Sequence, residues 1–233
     1  MQWVTTAYIL ASTVMMPIYG KLGDLFGRKY LFIIALSIFI VGSATCGLAP
    51  SMDGLIAGRA VEGLGGGGLI ILAQATIADI IPPRQRGKYM GLMGSVFAVS
   101  TVVGPLLGGW FVQVTGWRWL FAFNIPLALL AIAAVAFFLT KPVRRDDRPP
   151  IDIGGMMAMA VSVSSLVLAT AWGGTLFPWI SPQIFALFAL FFVAAVAFVL
   201  VERKAKEPII PMLLFRTATS WCARSPECSS CWA

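Results

Sequence analysis

Histidine does not occur anywhere in this chain. Its absence removes the two-histidine zinc motif of metalloproteases and every imidazole proton relay. No G-x-S-x-G nucleophile elbow is present either, and no pair of aspartates falls at one depth of facing apolar segments, so an enzyme is not expected. Charge is scarce as well: 12% of the 233 residues are charged and 59% are hydrophobic. A soluble domain of that size could not hide so much apolar surface, whereas a bilayer makes hiding it unnecessary. Strand-like alternation of apolar and polar residues is missing, which argues against a membrane barrel. What remains is an all-α polytopic membrane protein.

Seven apolar segments approach the ~20 residues that a tilted helix needs to span a bilayer. They are Trp3–Tyr19, Tyr30–Ala49, Leu55–Ile77, Tyr89–Val112, Trp119–Leu139, Gly154–Trp172 and Gln183–Val201. The first lacks a basic leader and a small-residue cleavage site, so it reads as a span and not as a signal peptide. The net charge of +7 is not spread evenly. Lys21, Arg28 and Lys29 follow the first segment, and Arg84, Arg86 and Lys88 follow the third. Lys141, Arg144, Arg145 and Arg148 follow the fifth, and Arg203, Lys204, Lys206 and Arg216 follow the seventh; the alternate loops hold only Arg118. This alternation predicts Met1 outside and the chain's end in the cytoplasm, and it removes nucleic acid as a partner. The Lys141–Arg148 cluster fits orientation and solvation of a linker better than specific capture of anionic lipid headgroups.

Five stretches carry a family resemblance. Gly20 to Phe32 reads G-K-L-G-D-L-F-G-R-K-Y-L-F between two apolar runs. Gly20, Gly23 and Gly27 would allow a tight reversal, Asp24 and Arg28 can pair across one turn, and Arg28 with Lys29 mark a cytoplasmic face. Leu55 to Gly68 reads L-I-A-G-R-A-V-E-G-L-G-G-G-G, and Gly104-Pro105-Leu106-Leu107-Gly108-Gly109 interrupts a later apolar run. These resemble, in order, the cytoplasmic signature loop, the fourth-helix motif with its embedded arginine, and the antiporter motif of the fifth helix in the major facilitator superfamily. Trp117-Arg118-Trp119-Leu120-Phe121 leading to Asn124-Ile125-Pro126, and Trp172-Gly173-Gly174-Thr175 before Pro178-Trp179, resemble the drug:proton antiporter branch with fourteen helices.

The resemblance covers residues 2–217 and implies a partial major facilitator fold, from the second family helix to the eighth. Residues 1–140 would form an N-terminal bundle of five helices without its first, and 141–153 a basic cytoplasmic linker. Residues 154–201 would form two linker helices and 202–217 a cytoplasmic segment. Residues 218–233 depart from the family and read as the product of a shifted frame or a truncated gene. Cys222, Cys228 and Cys231 lie there. Three thiols without histidine or a packed scaffold make a poor zinc site, so no metal is expected. Cys46 reads as a small packing residue.

Charges inside lipid are costly and call for a reason. Arg59 and Glu62 stand about 6 Å and about 10 Å inside the third segment from Leu55, three residues apart and on one face. Arginine stays protonated, so Glu62 is the candidate proton site and Arg59 its partner in proton and substrate coupling. The plainer alternative is that Arg59 snorkels outward and Glu62 only neutralises it. The family usually carries glutamine where Glu62 stands. The resemblance also implies a charge relay of Asp24, Arg28 and Asp79 at the cytoplasmic surface, which stabilises the outward-open state; helix-end solvation is the alternative. The signature-loop residues are Gly20, Gly23, Gly27 and Lys29, and the antiporter-motif residues are Gly104, Pro105, Gly108 and Gly109. The glycines from Gly63 to Gly68, and Gly104 with Gly108, are expected to let backbones approach closely, and Pro105 to bend its helix. Trp110, Trp117, Trp119, Trp172 and Trp179 suit an interfacial belt.

The implied function is proton-coupled efflux of drugs or other hydrophobic or cationic small molecules by alternating access in a bacterial inner (plasma) membrane. The partners would be the lipid bilayer, protons, a small-molecule substrate and a second helical bundle, and no cofactor is implied. The alternatives are a facilitator-type symporter of a polar metabolite and a non-functional truncated gene product. The piece by itself is expected to be inactive, because alternating access needs an opposing bundle.

Overall fold

The computed structural model describes residues 2–139 and 153–204, and within them the chain forms seven helices. They are α1 (Gln2–Phe26), α2 (Arg28–Leu48), α3 (Met52–Ile80), α4 (Pro83–Val114), α5 (Trp117–Phe138), α6 (Ile153–Trp172) and α7 (Pro182–Lys204). Local chemistry sets the breaks between them. Gly27 and Gly116 turn the chain at φ 88° and 91°, the left-handed region that glycine enters without strain. Ser51 caps α3 by accepting from the Gly54 amide at 3.2 Å. Pro83 opens α4, where its missing N–H costs nothing.

The first reversal is tighter than the sequence suggests. Gly20 and Gly23 do not belong to a loop: α1 runs through both to Phe26, and Gly27 alone makes the turn. A β-carbon on Gly20 or Gly23 would meet Ile71 at 3.6 Å or Leu72 at 3.2 Å, so these two glycines serve the fit of α1 onto α3. Six of the seven helices are long and apolar enough to cross a membrane. α1 is the exception to the expected seven, because Thr5, Thr6, Ser12 and Thr13 dilute its apolar run. Its neighbours explain that composition: α1 packs along α3 and also touches α2 and α6, and Ser12 is buried.

α3 is the axis of the fold, with α1 and α2 against it, α5 against α2, and α6 pairing with α7 and resting on α1. Its glycines are buried one after another: Gly63, Gly65, Gly66, Gly67 and Gly68. Added β-carbons would strike Tyr8 at Gly63 and Gly66, Ala35 and Phe39 at Gly65, Ser12 at Gly67 and Tyr19 at Gly68. On the facing helix, a β-carbon at Gly42 would collide with Glu62. Close approach of this kind is how helices associate where lipid offers no hydrophobic drive. Tyr19, Leu31, Ala35 and Leu72 form the apolar core beside the strip.

Consecutive helices run back and forth, so the basic residues around Arg28 and Arg84 share one end of the bundle and Arg118 sits at the other. Trp3 and Trp172 meet edge to face at 5.4 Å at that other end. Between α6 and α7, Gly174 turns at φ 75°, and β-carbons at Gly173 or Gly174 would run into the Trp179 indole. That collision accounts for the Gly-Gly pair preceding Pro178-Trp179.

Candidate functional site

Glu62 is a charged residue with only 1% of its surface exposed. Its carboxylate takes hydrogen bonds from three helices. Oε1 accepts from the Ser43 hydroxyl of α2 at 2.7 Å and from the Asn124 amide of α5 at 3.3 Å. Oε2 accepts from Arg59 Nη1, one turn back on α3, at 3.0 Å, and lies 4.0 Å from Cys46 Sγ. Every one of these groups donates, which suits an ionised carboxylate that can only accept.

Arg59 is held just as closely. Its guanidinium carbon stands 5.1 Å from the Tyr8 ring centre of α1 and 5.2 Å from that of Phe121 on α5. Two aromatic faces and one carboxylate thus share a single cation. Its side chain retains 29% of its exposure, while Nε is buried without an acceptor among the described residues. Four helices contribute to the pair, because Gly42 and Gly63 let α2 and α1 close on α3 at this level.

At the opposite end, Arg28 joins three helices. It pairs with Asp24 of α1 at 3.0 Å and with Asp79 of α3, and it donates to the Ala75 carbonyl. Arg28 is 21% exposed, whereas both carboxylates exceed half exposure, so each pair is a modest, screened interaction. Lys29 does something the sequence did not disclose. Its ammonium donates to the carbonyls of Ala136 and Leu139 at 2.7 and 2.6 Å, capping the C-terminus of α5. Arg86 likewise caps α3 through the Ala78 and Ile81 carbonyls, and Arg118 reaches the Ala49 carbonyl after α2 at 3.2 Å. Cations at carbonyl-rich helix ends are favoured by the helix dipole.

The antiporter-motif residues stand apart from both clusters. α4 has no buried residue, and β-carbons on Gly104, Gly108 or Gly109 would meet nothing within 4 Å. The close helix approach expected there is not made among the described residues, and Pro105 lies within a continuous helix. A crevice of about 300 Å³ opens between α2 and α5, with Arg118 and Trp119 among its lining residues and Ser43 beside them. The described residues contain no cluster of metal-ligating side chains. The cysteine-rich tail, the Lys141–Arg148 linker and residues 205–217 lie outside the described residues.

Sequence reasoning brought Arg59 to Glu62 and Arg28 to Asp24 and Asp79, and missed Ser43, Asn124, Tyr8 and Phe121. Asn124 offered one faint signal, an amide in the apolar body of α5.

Comparison with known proteins agrees with this architecture. The sequence profile described as Major Facilitator Superfamily matches residues 1–200. The chain is 43% identical over 221 residues to the multidrug transporter protein MdtP of Bacillus subtilis, covering 94% of this chain and 40% of that protein. It is 42% identical to Multidrug resistance protein 3 of the same organism, covering 92% of this chain and 42% of the other. It is 37% identical to the efflux pump FUS6 of Gibberella fujikuroi, covering 94% and 40%. The chain thus spans about two fifths of the length of these curated relatives.

Proposed function

The chain belongs to the major facilitator superfamily of integral membrane transporters, and from that premise we propose that it forms the first-bundle part of a proton-coupled exporter of hydrophobic or cationic small molecules. The observation that carries the proposal is the Arg59–Glu62 pair, its carboxylate buried among four helices in a chain with few charges. A charge retained at that depth is costly unless it acts. Arg59 keeps its proton, so the exchangeable member is Glu62. A proton arriving there neutralises the carboxylate and cancels its attraction for Arg59, and a cationic cargo competes for the same carboxylate. One group that serves both in turn makes an exchange cycle.

Arg28, Asp24 and Asp79 supply the conformational part of this reading. Exposed pairs of small energy can be made and broken as the bundle rocks against a second one. The basic end of the bundle would face the cytoplasm and Met1 the outside of a bacterial inner membrane, as the lysine and arginine distribution favours. The names of the bacterial and fungal relatives, a multidrug transporter and efflux pumps, support the choice of cargo.

The test is a chimera in which residues 1–204 replace the matching segment of the Bacillus subtilis transporter, reconstituted in liposomes with an imposed pH gradient. Gradient-dependent movement of a lipophilic cationic dye is expected, reduced by about tenfold or more in Arg59→Ala, as befits loss of a buried charge partner. Movement that ignores the gradient, or survives Arg59→Ala unchanged, contradicts the proposal.

A further inference from the structure

We propose that Ser43 and Asn124 are positioning residues that make Glu62 the latch between α3 and its neighbours α2 and α5. The inference extends the coupling role given to Glu62 above, but it stands on geometry of its own. Both donors address the same oxygen, Oε1, from two helices that pack on each other, while Arg59 holds the other oxygen. Glu62 is therefore the one acceptor on which a hydroxyl from α2 and an amide from α5 converge. All three polar groups sit where apolar contact would be the cheaper solution in a membrane. Ser43 is fully buried, and its hydroxyl has Glu62 as its acceptor.

A carboxylate with four donors has more than one interaction weakened when a proton or a competing cation neutralises it. The oxygen that takes the proton becomes a donor, which the Arg59 guanidinium cannot accept, and the other oxygen is left accepting neutral bonds about half as strong as charge-assisted ones. Loss of charge at Glu62 would accordingly loosen its hold on α2 and α5 together. A proton event inside α3 is converted into freedom of two flanking helices. The same crevice that separates α2 from α5 is lined by Ser43, so it would widen where the latch opens.

Cys46 offers a reporter inside the seam. It is buried against α3, 4.0 Å from Glu62 Oε2, and its neighbour Gly58 leaves it no slack. In the full chain with Cys222, Cys228 and Cys231 changed to serine, the rate of Cys46 alkylation by an uncharged maleimide measures opening of the seam. Asn124→Leu, which removes the amide but keeps the branched shape, is expected to raise that rate by about tenfold, as for a hydrogen bond to a charged group. In a Glu62→Met background the same change should alter it by less than about twofold, since coupled residues are non-additive. An equal effect in both backgrounds, or none in either, overturns the proposal. Ser43→Thr and Ser43→Val crowd the site alike and differ only in the hydroxyl. Thr should hold the rate about tenfold below Val if the bond matters, and equal rates again overturn it. These rates need no transport, so a chimera that fails to move dye would refute the exporter reading and leave the latch standing.

Discussion

Replacing Arg59 by alanine would leave Glu62, 1% exposed, with a hydroxyl, an amide and a thiol as its hydrogen-bonding partners and no cation. Breaking a buried pair from one side costs about 3 kcal/mol or more, so Arg59→Ala should lower the unfolding midpoint of the detergent-solubilised chain. Adding Glu62→Gln should recover part of the loss, because the stranded charge is gone. A double variant no better than the single would mean that Arg59 stabilises through its stack with Tyr8 and Phe121 alone. Arg59→Lys tests the stack from the other side, since an ammonium lacks the planar face that lies between two rings. The pair was legible in the sequence because three residues on a helix fix a shared face. Ser43 and Asn124 were not, for they reach Glu62 across 19 and 62 residues of chain. Only the juxtaposition of α2, α3 and α5 brings them together.

Among the elements, α3 and α4 share a glycine-rich composition and differ in what surrounds it. A methyl group at Gly67 would run into the Ser12 backbone, while one at Gly104 meets open space. Gly67→Ala should therefore destabilise the chain by about 1–3 kcal/mol through overpacking. Gly104→Ala should be neutral or slightly stabilising, as a better helix former. Thermal unfolding of the two variants side by side decides it, and equal destabilisation would contradict the packing described for α3. Seven segments read as spans from their apolar length, and six of them form helices long and apolar enough to cross a membrane. α1 was harder to classify because a helix packed against other helices can carry polar residues that a lipid-facing one cannot. The turn after it was misread for a related reason. Gly20, Gly23 and Gly27 look alike in sequence, but only Gly27 has positive φ, and the other two are spacers against α3. Lys29 showed its charge in the sequence but not its target, since the α5 carbonyls lie more than a hundred residues away.

For the molecule as a whole, orientation is the first thing to establish. Cysteines placed at Gly116 should react with an impermeant thiol reagent from outside, in a background without native cysteines. Those at Gln85 should react only after permeabilisation, and the reverse pattern would invert the topology. At the basic end, Asp24→Asn removes one of the two carboxylates on Arg28. In the chimera it should slow transport and raise labelling of cysteines on cytoplasmic-facing surfaces by roughly two- to fivefold, the scale of an exposed ion pair. Unchanged labelling and normal transport would reduce the three residues to helix-end solvation. The central claim, that Glu62 exchanges a proton for cargo, is tested most directly by running the exchange backwards. In chimera proteoliposomes without a pH gradient, an imposed cargo gradient should drive a proton flux opposite to the cargo, read by a trapped pH-sensitive dye. Glu62→Gln should abolish that flux while leaving the dye's response to added acid intact. Cargo movement with no proton flux, or the same flux in Glu62→Gln, would contradict the account.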